Sequence, residues 1–362
     1  MGEVGAGELA EVREGLARLL VPKDHAVKGP GRVAGRPFYN RAMALPRHVS
    51  VLVLEAVARP GMRVLDALAA TGVLGIRCGL EVAEDLDVTL NDQREDAVQL
   101  MRRNAERNGA SVAVEGEDAH VLLARRHYDY VDVDPFGSPV PFVEAALRSL
   151  SPRGFLALTA TDTAPLAGTY PRTCRRRYGA TPLKAPYGHE VGLRILAGFV
   201  VRAGARYDLG VRPLLLFWRG HFYKAFFAVQ RGAQRADAAL DALRFVRAGG
   251  GERRLDREGE AGPLWGGPLH EAALLDRMEA RDHMPGTVAD LLDRWREEAE
   301  APPLFYTTDE VASRLKRSPP PLRRALAVLG EAGFAARRTH VHPKGFKTDA
   351  PWGAILDLFR DA

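Results

Sequence analysis

The sequence predicts an α/β protein built on an open, mainly parallel sheet wound on both faces, followed by a separate α+β region. Three observations carry that prediction. From residue 63 onward, short apolar runs of strand character alternate with amphipathic segments of helical length. Acidic residues recur just past successive runs, as Asp66, Asp92, Asp118 and Asp134. After Gly232, alanine-rich and charged segments replace the strand rhythm, which marks a domain boundary.

A chain of 362 residues accommodates two domains. The expected division is an N-terminal arm over 1–36, a first domain over 37–232 and a second over 233–362. A hydrophobic fraction of 46% and a charged fraction of 27% describe a globular protein with a sizeable core. The formal charge of +5 and a pI near 9.3 suit a polyanionic partner without requiring one. Cys78 and Cys174 are the two cysteines. Neither has metal-ligand spacing, which argues against a disulfide framework and suits a reducing cytoplasm. No run approaches 18 apolar residues and no basic-then-apolar leader is present, so neither a membrane span nor a secretion signal is expected. Ala6 stands where a myristoylation site wants Ser or Thr.

Taken in order, residues 1–36 are rich in glycine and charge, with an apolar patch at 16–21 suited to a short strand or docked arm and a mobile tip. Residues 49–57 suit a helix stopped by Arg59-Pro60-Gly61. Strands are expected at 64–69, 88–90, 112–114, 128–133 and 155–159, with helices at 94–108, 141–150 and 190–203. The runs 211–218 and 222–229 flank Arg219-Gly220-His221, a spacing that favours a hairpin. A parallel sheet finished by such a hairpin is typical of class I methyltransferases and not of nicotinamide-binding dehydrogenases.

Four motifs sit at the strand ends. Asp66 opens a glycine-containing turn, Asp66-Ala-Leu-Ala-Ala-Thr-Gly72-Val-Leu-Gly75, whose glycines allow either close cofactor approach or close helix packing. Asp92 is placed to take the two ribose hydroxyls of a nucleoside, which NAD and S-adenosylmethionine share. Asp118, with Ala119, occupies the position at which methyltransferases commonly hold the adenine amine; the alternative is a solvated turn carboxylate. Asp134-Pro135-Phe136 resembles the (Asn/Asp)-Pro-Pro-aromatic signature of methyltransferases acting on exocyclic base amines. The lone pair of a guanine amine is delocalised into the ring, so the amine must be oriented. Asp134 accepts one N–H in this reading, the constrained Pro135 carbonyl accepts the other, and Phe136 stacks on the base. The bland alternative is a strand exit in which Asp134 caps backbone amides.

Later blocks extend the likeness. Val131-Asp-Val-Asp-Pro-Phe-Gly-Ser-Pro139, Leu158-Thr-Ala-Thr-Asp-Thr-Ala-Pro-Leu166, Tyr178-Gly179, His189-Glu-Val-Gly-Leu-Arg194, Ala261-Gly-Pro-Leu-Trp265 and Lys344-Gly-Phe-Lys-Thr-Asp-Ala350 together resemble the tRNA (guanine-26) N2-dimethyltransferases, over nearly the whole chain. The resemblance implies transfer of one and then a second methyl from S-adenosylmethionine to guanine N2 in tRNA. It also implies a cofactor pocket of Asp66, Thr71, Gly72, Asp92, Asp118 and Ala119. The family's Asn-Arg-Asp block aligns with Pro46-Arg47-His48, so Arg47 is expected to meet the methionine carboxylate. Paired cysteines that many members carry before the Gly-Pro-Leu-Trp block are replaced by Ala248-Gly-Gly-Gly-Glu-Arg-Arg254, and no metal is expected.

In the C-terminal region helices are expected at 238–246, 269–282, 288–298, 307–315 and 322–331, the fourth opened by a Thr307/Glu310 capping box. A two-stranded wing at 334–346 completes a winged-helix-like order. Arg323, Arg324, Arg337, Arg338, His340, Lys344 and Lys347 give this module a basic face for phosphate contact, or a solvated charged surface. Arg172, Arg175, Arg176 and Arg177 form a second basic cluster that either braces tRNA or pairs with local acids. Glu190 reads as a carboxylate in the first turn of a helix, and Cys174 as structural, though its arginine neighbours favour a lowered thiol pKa.

The expected function is therefore a cytoplasmic tRNA guanine-26 N2-methyltransferase using S-adenosylmethionine, with no membrane association and no protein partner implied. The alternatives are a methyltransferase for another tRNA guanine or nucleic-acid base amine, or a non-catalytic tRNA-binding factor.

Overall fold

The computed structural model describes residues 9–25 and 37–360, which fall into two compact units. The first holds the chain up to Thr161 with Gly220–Gly232 and Asp276–Ala289; the second holds Asp162–Arg219, Ala233–Leu275 and the chain from Asp290.

The first unit opens with a hairpin, β1 (Leu9–Glu14) and β2 (Ala17–Pro22). The apolar patch is its return strand, with Leu19 and Val21 buried. Asn104 holds it by donating to Leu20 O at 3.1 Å and accepting from Leu20 N at 2.7 Å. The expected mobile tip lies outside the described residues.

The βαβ rhythm follows as α1 (Ala44–Val57), β3 (Met62–Asp66), α2 (Val73–Glu81), β4 (Leu86–Asn91), α3 (Glu95–Asn108), β5 (Val112–Glu115), α4 (Ala119–Arg125), β6 (Tyr128–Val133), α5 (Val140–Ser149) and β7 (Leu150–Ala160). In α3, buried Ala97, Val98, Met101, Asn104 and Ala105 recur at helical spacing, and Gly109 ends the helix at φ 58°. β3 ends at Asp66, earlier than expected, because residues 67–72 turn: Ala70 has φ 49° and Gly72 φ 77°.

The chain continues through α6 (Thr163–Leu166), α7 (Pro171–Tyr178), α8 (Gly188–Ala205), β8 (Leu209–Arg219) and β9 (Phe222–Arg231). Strand order is β5-β4-β3-β6-β7-β9-β8, parallel from β5 to β7, with β9 antiparallel to β7. Winding runs outward in both directions from β3 and β6. The C-terminal ends of those two strands therefore form the switch point where open α/β sheets bind ligands.

The second unit continues with α9 (Ala233–Asp241), β10 (Leu243–Gly249), β11 (Glu252–Asp256), β12 (Ala261–Trp265), α10 (Ala272–Leu275), α11 (Gly286–Glu298), β13 (Tyr306–Thr307), α12 (Thr308–Leu315), α13 (Leu322–Glu331), β14 (Ala336–Arg338), β15 (Gly345–Thr348) and α14 (Trp352–Arg360). Two sequence expectations fail here. The helix expected at 238–246 stops at Asp241, because Leu243–Gly249 pairs with β11 and β12 and positive φ at Gly250 and Gly251 closes the β10–β11 hairpin. The helix expected at 269–282 shrinks to α10 because the backbone just before it is spent on β8: Leu216 N donates to Leu269 O and Glu271 N to Leu214 O, both at 2.8 Å. The Thr307/Glu310 capping box forms as expected. Beyond it, α12, α13 and α14 pack with the sheet β13-β15-β14 around Val311, Leu329, Phe346 and Ile355.

Candidate active site

At the switch point of the first unit lies a cavity of about 480 Å³. Asp66, Ala69, Ala70, Thr71 and Asp92 line one part of it, and Asp134, Pro135, Phe136, Phe38 and Thr161 another; Arg47 and His221 also contribute. Two motifs predicted separately, the glycine-containing turn and the Asp-Pro-Phe-Gly turn, thus open into one space.

The first turn is held by its own backbone. Ala67 N donates to Asp132 O at 3.0 Å, Ala69 N to Asn91 O at 2.8 Å and Gly72 N to Ala69 O at 2.7 Å. The Asp92 carboxylate accepts from Ala70 N at 3.1 Å and Arg94 N at 3.0 Å, which aims it at the cavity side of the turn. Asp66 accepts from Gly75 N at 3.3 Å. The two glycines divide the alternatives left by the sequence. A Cβ on Gly75 would meet Leu90 Cδ2 at 2.0 Å, so Gly75 serves helix packing, whereas Gly72 supplies the turn's left-handed residue. The Thr71 hydroxyl is buried and has no partner among the described residues. A buried orphan hydroxyl on a cavity wall is unfavourable unless a ligand or water satisfies it.

The second turn is pinned at Gly137, which has φ 80°, donates to Thr161 Oγ1 at 2.8 Å and accepts from Thr161 N at 2.9 Å. Phe136 is 57% exposed, an unusual setting for a phenyl ring, and meets Phe38 edge-on with centroids 4.8 Å apart. Asp134 is half-buried. Burial raises its carboxyl above the ordinary range, opposed by the Lys224 and Arg47 charges. Asp66 goes further: burial, with Asp132 and Asp134 adding to it, pushes its carboxyl up to about 8, so it holds a proton at neutral pH.

Behind these turns stand residues that sequence reasoning missed. Lys224 on β9 lies 2.9 Å from both oxygens of Asp132, with each side chain only 2% exposed. A lysine inside the apolar run Phe222–Val229 was the available signal. Arg47 is held by Glu14, whose carboxylate takes both Arg47 Nε, at 2.7 Å, and Nη2. Tyr39 Oη donates to Glu14 at 2.9 Å and Arg77 Nη1 at 3.0 Å. Burial alone would raise the Glu14 carboxyl, but the two guanidiniums hold it at about 2. His48, in place of the family's acid, is kept neutral at about 4 by burial and Arg77. Nothing local in the sequence pairs Glu14 with residues 33 and 63 positions away.

Other predicted residues are placed differently. Asp118 and Ala119 are not in the cavity lining; Asp118 accepts from His120 N at 2.8 Å and caps α4. Lys347, expected on a basic face, is instead buried 3.1 Å from Glu190 and 3.2 Å from Glu298, and His340 points inward onto Glu298 at 2.7 Å. Glu190 does lie in the first turn of its helix, and also pairs with Arg194. His270, Glu298 and His340 place ligand-type atoms within 4.8 Å of one another, but the carboxylate is already occupied by Thr339, His340 and Lys347. Arg337 and Arg338 are exposed, and exposed Lys344 pairs with Asp309 at 2.8 Å. On α7, Arg175 and Arg176 are exposed, while Arg177 pairs with Asp162 at 2.9 Å. Cys174 is buried, and burial outweighs Arg202 and pushes its thiol up to about 12, the reverse of the lowering its arginine neighbours favour and in keeping with a structural residue.

A parallel sheet closed by an antiparallel hairpin, with a nucleoside-type carboxylate and an Asp-Pro-Phe-Gly turn facing one switch-point cavity, defines a class I S-adenosylmethionine-dependent methyltransferase. Comparison with known proteins narrows the class. Residues 15–360 match the family model of the N2,N2-dimethylguanosine tRNA methyltransferases, and the chain belongs to that family. It is 41% identical to the tRNA (guanine(26)-N(2))-dimethyltransferase of Thermococcus kodakarensis, over 98% of this chain and all of that protein. Identity to the enzyme of the same name from Pyrobaculum aerophilum is 39%, over 96% of this chain and 95% of that one. The solved structure of Trm1 from Pyrococcus horikoshii with S-adenosyl-L-methionine superposes with a TM-score of 0.87 at 36% identity, covering 97% of this chain and 99% of that one.

Proposed function

We propose that this chain methylates the N2 amine of guanine 26 in tRNA, adding one and then a second methyl. The observation that carries the reading is the shared cavity: Asp134, Pro135 and Phe136 line the same space as Asp66, Thr71 and Asp92. The wall fits S-adenosylmethionine, since Asp92 presents a carboxylate to the ribose hydroxyls and the unpartnered Thr71 hydroxyl gains a polar neighbour. Arg47, anchored by Glu14, offers its remaining amino group to the methionine carboxylate. When bound, S-adenosylmethionine supplies an electrophilic methyl on a sulfonium.

The chain's own residues do the rest. Asp134 accepts one amine N–H and the Pro135 carbonyl the other, which turns the nitrogen lone pair toward the methyl. Phe136, paired edge-on with Phe38, exposes its face for the extruded base and offsets part of the few kcal/mol that flipping costs. Carbon–nitrogen bond formation leaves a proton on the amine, which passes to Asp134 or to water. Arg175, Arg176, Arg337 and Arg338 are exposed cations available to phosphates; Arg177 and Lys344 reach RNA only by leaving their acids. Among the described residues no helix is long and apolar enough to cross a membrane. Two free cysteines fit a reducing compartment, and we place the reaction in the cytoplasm.

The test is incubation with methyl-labelled S-adenosylmethionine and unmodified tRNA transcripts, followed by mass spectrometry of the nucleosides. N2,N2-dimethylguanosine that disappears when position 26 is another base supports the proposal. Label on a different nucleoside moves the target, and no label refutes it.

A further inference from the structure

Asp132 and Lys224 are two of the most deeply buried charges in the first unit, at 1% and 2% exposure, and neither belongs to the cavity wall. The ammonium donates to both Asp132 oxygens at 2.9 Å and to Thr159 Oγ1 at 3.1 Å, which spends all three of its N–H groups. Ser50 Oγ donates to Asp132 at 3.2 Å. Buried pairs of this kind give little net stability, because desolvation cancels most of the attraction. Their placement suggests another task. Asp132 lies two residues before Asp134, Asp66 is its register partner on β3, and Thr159 faces Lys224 across β7 and β9. Thr159, which accepts from Lys224, directly follows Leu158, the register partner of Val133, and so stands beside Asp134, whose carboxyl it helps to lower.

We propose that Lys224 is a positioning residue for methyl transfer: through Asp132 and Thr159 it holds Asp134 ionised and in place while leaving the Asp134 oxygens to the amine. This rests on the reading that Asp134 accepts the guanine N–H. A protonated Asp134 accepts that N–H more weakly and cannot take the amine's proton, and three carboxyl groups meet here, Asp66 with its proton, Asp132 and Asp134, in a poorly solvated space. The groups facing the cluster are Asp66 from β3, Arg47 and Ser50 from α1, Cys78 from α2, Tyr130 from β6, Thr159 from β7 and Lys224 from β9. Each of the two cations is bonded to another acid, Arg47 to Glu14 and Lys224 to Asp132, and of the two the Lys224 charge acts more strongly on Asp134.

The experiment is the pH dependence of kcat/KM for tRNA methylation, whose acid limb reports the essential carboxylate of the free enzyme. Lys224→Met moves that limb up by about one pH unit or more. Asp132→Asn moves it down, because the freed ammonium then serves Asp134 directly. Lys224→Arg, which keeps the charge, retains the wild-type midpoint. A merely structural pair changes melting temperature and leaves the midpoint unmoved, and that result overturns the proposal. If Lys224→Met does not fold, the downward shift in Asp132→Asn decides alone. Asp134→Ala separates the two readings. If it keeps the wild-type rate and limb, the role of Asp134 itself fails; if it is inactive while the limb stays fixed in the other variants, only the role of Lys224 fails.

Discussion

Replacing Glu14 by Gln removes the one carboxylate shared by Arg47 and Arg77 and leaves two buried guanidiniums facing an amide. The size of the effect follows from the ionisation of Glu14. Its carboxyl sits at about 2, against 4.5 for an unperturbed glutamate; at 1.36 kcal/mol per pH unit, that displacement is worth about 3 kcal/mol. Breaking a buried ion pair by removing one partner costs a similar amount, roughly 3–5 kcal/mol. Because the folded value is depressed, the contribution is fully present above the unfolded pKa and is lost as pH falls through 4.5 toward 2. Urea unfolding at pH 7 should therefore show Glu14→Gln destabilised by about 3 kcal/mol, with the gap to wild type shrinking between about pH 5 and pH 3. S-Adenosylmethionine affinity should fall with it, since Arg47 loses the group that orients it on the cavity wall. A variant within about 0.5 kcal/mol of wild type at pH 7, or a gap independent of pH, would refute the reasoning.

Four further outcomes are expected. Phe136→Ala loses the stacking face and should lower kcat/KM for tRNA by roughly fivefold to 150-fold, as about 1–3 kcal/mol implies, with calorimetric S-adenosylmethionine affinity unchanged. Lys347→Met strips Glu190 and Glu298 of their shared cation and should destabilise the chain by roughly 3–5 kcal/mol in denaturant titrations, without altering the salt dependence of tRNA binding. In contrast, Arg337→Ala with Arg338→Ala should flatten that salt slope by about 1–2 in log–log terms. Cys174, its thiol pushed up to about 12, should resist thiol reagents at pH 8 in the folded protein and react once unfolded.

What the sequence made legible was whatever is written locally. The strand-helix alternation, the Asp66 turn, the capping box at Thr307 and the hairpin around Gly220 each depend on residues a few positions apart, so periodicity and turn chemistry reveal them. The hairpin between β10 and β11 was equally local: Gly249-Gly250-Gly251 marks its turn, but the alanine-rich approach was read as helix. Helix and strand compete on short apolar runs, and cross-strand pairing decided the outcome. Partners of buried charges were not legible at all. Glu14 reaches Arg77 across 63 positions, Asp132 reaches Lys224 across 92 and Glu190 reaches Lys347 across 157. A charged side chain in sequence carries no mark of whether its partner is water or an acid brought in by folding. Lys347 therefore reads as surface in the sequence, and nothing beside Arg47 marks that Glu14, at the end of β1, anchors it.

The most direct test of the central claim, that Asp134 orients the guanine amine in a cavity shared with the cofactor, is single-turnover methylation by Asp134→Ala at saturating S-adenosylmethionine and tRNA. The account predicts a rate at least about a hundredfold below wild type, with both dissociation constants within a few-fold of it, since the loss falls on orientation at the reacting nitrogen. A variant that binds both ligands and transfers methyl at close to the wild-type rate would contradict it.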